Sequence, residues 1–257
     1  MSATLARPTR RILLRSAAWS VPVVSLAAAA PAFAASPCAL RTNQTLDWDG
    51  ANTTYVRNSP TSGTATFDPD GLGPVPSLTL QVAATYSGLM RAGTEGGSAA
   101  TALAVKALVG GLGMSGLGLE QATTSKSPQG SAERGTYTFS FSRPVTNLKF
   151  TLTDIDSLAG DFWDIVQPLA GYTVVSMGAG VATDNGGIGG AQRFFRATGS
   201  GLVDNTTGSA GNLELSYAGP ISSFSITYWN GATSFDKKVD TSQIVYVSDM
   251  TFDDKPC

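Results

Sequence analysis

The sequence predicts an all-β fold, an antiparallel β-sandwich of jelly-roll type with at most one short helix. Three observations predict it. Apolar residues alternate with polar ones at period two wherever a pattern exists. Clusters of Gly, Pro, Asn and Ser interrupt those runs at the spacing of a sandwich. The 257 residues include 29 Gly and only 14% charged side chains, a composition suited to short strands joined by tight turns.

The first 34 residues read as an export signal. Arg7, Arg10, Arg11 and Arg15 form a basic start, no acid precedes Asp47, and the apolar stretch Ala17 to Ala30 is too short to span a bilayer as a helix. Ala32-Phe33-Ala34 supplies a small-x-small cleavage site. Arg10-Arg11 also fits a twin-arginine signal, with a Sec signal as the alternative. The expected product is secreted, with a single domain over residues 38–257. No second apolar run of spanning length follows, so no membrane insertion is expected. With the four leader arginines set aside, 13 basic residues face 19 acids, a net charge of −6. That balance, without a basic run, argues against nucleic acid as partner.

Cys38 and Cys257 stand near the two ends of the exported chain. In an oxidising compartment they are expected to form a disulfide, two free thiols being the alternative. The expected strands run in order. They include Ser77 to Ala84, Tyr137 to Ser142, Leu148 to Leu152, Tyr172 to Val175, Leu213 to Tyr217, Phe224 to Trp229 and Ile244 to Val247. Ala99 to Val109 is either the one short helix or a strand followed by a glycine-rich loop. An internal repeat spans an offset of 76 residues: Tyr137/Phe139/Phe141 match Leu213/Leu215/Tyr217, Pro144 matches Pro220, and Leu148/Phe150/Leu152 match Phe224/Ile226/Tyr228. Each copy reads as strand, proline corner, strand, with one hairpin in each facing sheet.

With no histidine in the chain, Ser-His-Asp and Cys-His machinery and His-ligated metals are excluded. The densest chemistry is Asp154, Asp156, Asp161 and Asp164, four carboxylates within eleven residues. Hard oxygen ligands converging in a loop suit Ca²⁺. Caps on turns are the plainer reading, and catalysis the third. Catalysis without histidine would take a carboxylate pair of glycosidase type, Asp154 with Asp164 or Glu120 with Glu133. Trp163, Tyr228, Trp229 and Asn230 could form a sugar-stacking platform, or could equally pack in the core.

Phe141-Ser142-Arg143-Pro144-Val145-Thr146-Asn147-Leu148, running through Phe150-Thr151-Leu152-Thr153-Asp154-Ile155-Asp156, resembles a segment of adhesin-like, lectin-like β-sandwich domains of bacterial surface proteins. Asp164-Ile165-Val166, Gly219 to Phe224, Tyr228 to Gly231 and Ile244 to Phe252 resemble further segments of the same domains. The resemblance implies a binding role without catalysis, toward an extracellular glycan or a surface protein. No repeat array or cell-wall sorting signal follows, so a soluble binder is expected. A carbohydrate-active hydrolase and a structural envelope protein are the alternatives.

Overall fold

The organising element is β8 (Arg134–Thr153), a single strand of 20 residues. Its first half buries Tyr137, Phe139 and Phe141; its second half buries Leu148, Phe150 and Leu152. The inward positions are odd-numbered before Asn147 and even-numbered after it. Asn147 has φ 52, and one residue in the left-handed region moves every later side chain to the other face. Asparagine enters that region more readily than most residues bearing a Cβ.

The computed structural model describes residues 39–69, 76–93, 101–169, 171–189, 193–236 and 242–256. The expected leader and both cysteines lie outside them. The fold is all-β and antiparallel, consistent with a β-sandwich. The first half of β8 has β4 (Leu78–Tyr86) on one edge and β15 (Ile221–Asn230) on the other. Outside β4 lie β3 (Ser62–Phe67) and β2 (Thr53–Ser59). Outside β15 lie β10 (Phe162–Pro168), β13 (Arg193–Ala197) and β12 (Val181–Asn185). The second half of β8 pairs with β14 (Leu213–Tyr217), which carries β11 (Thr173–Met177) on its far edge. Its opposite edge is shared by β17 (Met250–Asp254) and β16 (Gln243–Ser248). On those lie β1 (Arg41–Leu46) and β7 (Gly116–Thr123), and β7 carries β5 (Met90–Ala92) and β6 (Val105–Lys106).

Aromatic rings join the two halves of β8. Phe224 stacks on Phe139 at 4.7 Å and on Phe150 at 4.9 Å, while Phe252 of β17 meets Phe67 of β3 at 5.8 Å. Offset or edge contacts at these separations add about 0.5–1.5 kcal/mol per pair beyond area burial. Beside them, Asp254 accepts two hydrogen bonds from Arg41 (2.9 and 2.7 Å) and two from Arg143 (3.1 and 2.6 Å). That cluster fastens β1, β8 and β17 together.

One expectation changes here, and one alternative left open by the sequence is decided. The repeat does not form two separate hairpins in facing sheets. Pro144 lies inside a continuous β8, in the gap between the partners of Phe141 and Val145 where no ladder donor is needed. The second copy does turn between β14 and β15, and the copies pair crosswise. Tyr217 faces Leu148 and Leu213 faces Leu152, while Phe224 faces Phe139 and Ile226 faces Tyr137. The described part of Ala99 to Val109 is also not helical. Leu103 has φ 61, which stops a right-handed helix, and Val105–Lys106 joins β7 as the two-residue β6. Among the described residues the one helical piece is a 3-10 turn, Gly130–Ala132.

Candidate functional site

The acidic segment follows directly from the end of β8. Asp154 leaves the ladder with φ 69, the chain crosses to β9 (Ser157–Leu158), turns at Gly160 with φ 76, and returns as β10. Glycine suits that turn, because φ 76 is a conformation that residues with a Cβ rarely adopt. Asp154, Asp156, Asp161 and Asp164 are all buried, yet they do different things.

Asp164 is wholly enclosed. Its carboxylate accepts a hydrogen bond from Tyr228 Oη at 2.5 Å and one from the Asp156 amide at 3.2 Å. Burial, then the neighbouring Asp156 and Asp154 charges, push its pKa well above the usual range against the pull of those two hydrogen bonds. Asp156 accepts from the Val203 amide at 2.5 Å. Burial pushes its carboxyl up from 3.8 to about 6. The Asp161 carbonyl accepts from the Asn230 amide at 3.0 Å, and its side chain does not line the cleft described next.

Asp154 and Asp156 open on a cleft of about 130 Å³, and Glu120 of β7 and Gln243 of β16 line it with them. Glu120 is 1% exposed and accepts hydrogen bonds from the Thr101 hydroxyl and, at 2.7 Å, from Ser242. Ion pairs among the described residues join Arg41 and Arg143 to Asp254 and Arg196 to Asp184, so Glu120, Asp156 and Asp164 have no cation on them. Gln243 is 1% exposed, and neither its amide nitrogen nor its amide oxygen has a hydrogen-bond partner. Among the described residues no three acidic side chains are arranged to hold a metal ion. Glu133 stands apart, accepting from Ser125 at 2.6 Å, from the Leu89 amide at 3.2 Å and from Thr123.

The aromatic candidates divide. Tyr228, Trp229 and Asn230 are buried, so they form no exposed platform. Tyr228 holds Asp164. Asn230 clamps the β9–β10 turn, accepting from the Trp163 amide at 3.1 Å and the Ala232 amide at 2.8 Å. Trp163 is half-buried, with its indole N–H fixed to the Ala197 carbonyl at 2.9 Å. With Phe162 and Leu158 it lines a groove of about 330 Å³ that also contains Ser157, Ser200 and Thr233. Ser200 also lines a neighbouring hollow along residues 197–203, and Asp156 is part of that hollow's lining. Phe162 lines both the groove and the acidic cleft.

Sequence reasoning nominated Glu120 only as a catalytic partner of Glu133 and Phe162 only beside Trp163 as a sugar-stacking ring, and it missed Gln243. A polar residue at an inward position of the strand Gln243 to Val247 is the signal that could have found Gln243. No family model matches the chain, and no curated protein or solved structure matches it significantly.

Proposed function

We propose that this is a secreted, non-catalytic binding protein whose ligand is an extracellular glycan held in the groove beside Trp163. The observation that supports it best is the combination in that groove. A half-exposed indole, its edge pinned by a backbone carbonyl, stands beside Phe162 and Leu158, with serine and threonine hydroxyls around them. The C–H face of a sugar ring packs on such an indole, and the hydroxyls meet its oxygens. The adjoining hollows suit an extended chain better than a single sugar.

A binding role without cleavage is favoured by the state of the carboxylates. Glycosidase pairs need two groups able to reach one glycosidic bond. Asp164 is fully enclosed, and Glu120 and Glu133 are engaged by hydroxyls. The test is retention on insoluble polysaccharides, with Trp163→Ala beside wild type and reducing ends measured in the supernatant. The expected result is retention without release of reducing sugar, weakened at least tenfold by Trp163→Ala. Release of reducing sugar would move the protein to the hydrolases. Undiminished retention by Trp163→Ala would remove the groove.

A further inference from the structure

The acidic cleft contains a chemical demand that the glycan groove does not meet. Glu120 and Asp156 are buried carboxylates that form no ion pair among the described residues, and Asp154 lines the same space. Gln243, almost fully buried in its wall, leaves one donor group and one acceptor unused. A buried amide without partners carries its full desolvation cost, and a ligand that hydrogen-bonds to it offsets that cost. Phe162, Leu202 and Ile244 supply the apolar part of the lining.

A bare metal ion fits this poorly, since among the described residues no three acids are arranged to hold one. An ammonium group on a ring fits better. It brings three N–H donors on one charge, and its carbon frame can pack against Phe162. Adjacent hydroxyls can both donate to and accept from Gln243. We infer that the cleft formed by Glu120, Asp154, Asp156 and Gln243 binds the protonated amine of an amino sugar, so that the glycan in the groove carries free amino groups. This rests on the glycan reading, because the cleft adjoins the Trp163 groove: Phe162 lines both, and Asp156 and Ser200 line the hollow beside them. A protein lysine would satisfy the carboxylates, but it lacks the ring hydroxyls that would occupy the Gln243 amide.

Titration calorimetry on the full exported chain tests it, using a β-1,4-linked glucosamine hexamer and its fully N-acetylated counterpart. The glucosamine hexamer is expected to bind at least tenfold more tightly. Asp156→Asn should erase that preference, and Gln243→Leu should weaken binding of the glucosamine hexamer. Equal affinities, both lost in Trp163→Ala, would overturn the amine site and leave the glycan groove standing. If neither hexamer binds but methylammonium raises the wild-type melting temperature, the glycan reading fails and the ammonium site survives. That melt needs no variant to fold. A melting temperature raised by millimolar calcium and not by methylammonium gives the cleft to a divalent ion and overturns the inference, as does tighter binding of trilysine than of the glucosamine hexamer.

Discussion

Asp156→Asn separates the electrostatic cost of the cleft from its hydrogen bonding. The side chain accepts one hydrogen bond, from the Val203 amide, and an asparagine Oδ1 can accept it equally. What the substitution removes is charge. Burial moves the Asp156 carboxyl from 3.8 to about 6 in the folded protein. Between those values the folded state binds more protons than the unfolded one, so stability falls as pH rises through the window and is flat above it. Two pH units correspond to about 3 kcal/mol at most. Solvent at the cleft mouth screens this to about 1–2 kcal/mol. At about 2–4 °C per kcal/mol for a domain of this size, wild type should melt roughly 2–8 °C lower at pH 7.5 than at pH 4.5. In Asp156→Asn the drop should be smaller, and the variant should match or exceed wild type at pH 7.5. Asp164, whose pKa is raised in the same direction, contributes the residual slope. Differential scanning calorimetry from pH 4 to 8 on both proteins measures it. A wild-type melt that rises from pH 4.5 to 7.5, or an equal slope in the variant, would refute the argument.

Asp254 behaves in the opposite sense: burial raises its pKa, but Arg41 and Arg143 outweigh that and hold it low. Its contribution is present above the unfolded pKa and disappears as pH falls through the folded one, so Asp254→Ala should cost about 3–5 kcal/mol at pH 7 and much less near pH 2, read from urea melts. Asn147→Gly should be neutral or mildly stabilising and Asn147→Val destabilising by about 1–3 kcal/mol, because φ 52 penalises a β-branched side chain; chemical denaturation distinguishes them. Arg41 pairs with Asp254, and Cys38 and Cys257 stand three residues further out on either side. Intact mass with and without reductant should therefore show the loss of two hydrogen atoms to a disulfide worth up to about 5 kcal/mol, and two alkylatable thiols in unreduced protein would contradict it.

The strands were legible because period-two alternation is a local property. Tyr137 to Phe141 and Leu148 to Leu152 can each be assigned from a few residues. Their continuity through Pro144 could not, since it depends on which neighbours need a donor from that position, and those partners are β4, β15 and β17. The acidic segment was visible as a charge cluster, and it does lie beside a cleft. The division of labour within it was not visible. Asp164 is enclosed because Tyr228 closes over it, and Glu120 joins Asp154 and Asp156 only because β16 brings β7 alongside the end of β8. Tyr228 and Trp229 looked like a platform because aromatic residues beside Asn-Gly carry no mark of which face is covered. That is decided by what packs on them, Asp164 against Tyr228 and Phe194 of β13 at 5.8 Å from Trp229.

The pairing of β1 with β17 sets a clock on the making of this protein. Arg41 and Asp254 are 213 positions apart, and a ribosome adding about 5–20 residues per second needs roughly 10–40 s to cover that distance. Throughout that interval β1 has been made but its ladder partner has not. The second half of β8 is in the same position, because β14, β16 and β17 all follow it in the chain. Contacts this distant must first overcome the entropy of closing a long loop. The sheet therefore cannot close during synthesis, and a chain that stops before residue 250 presents bare strand edges open to other chains.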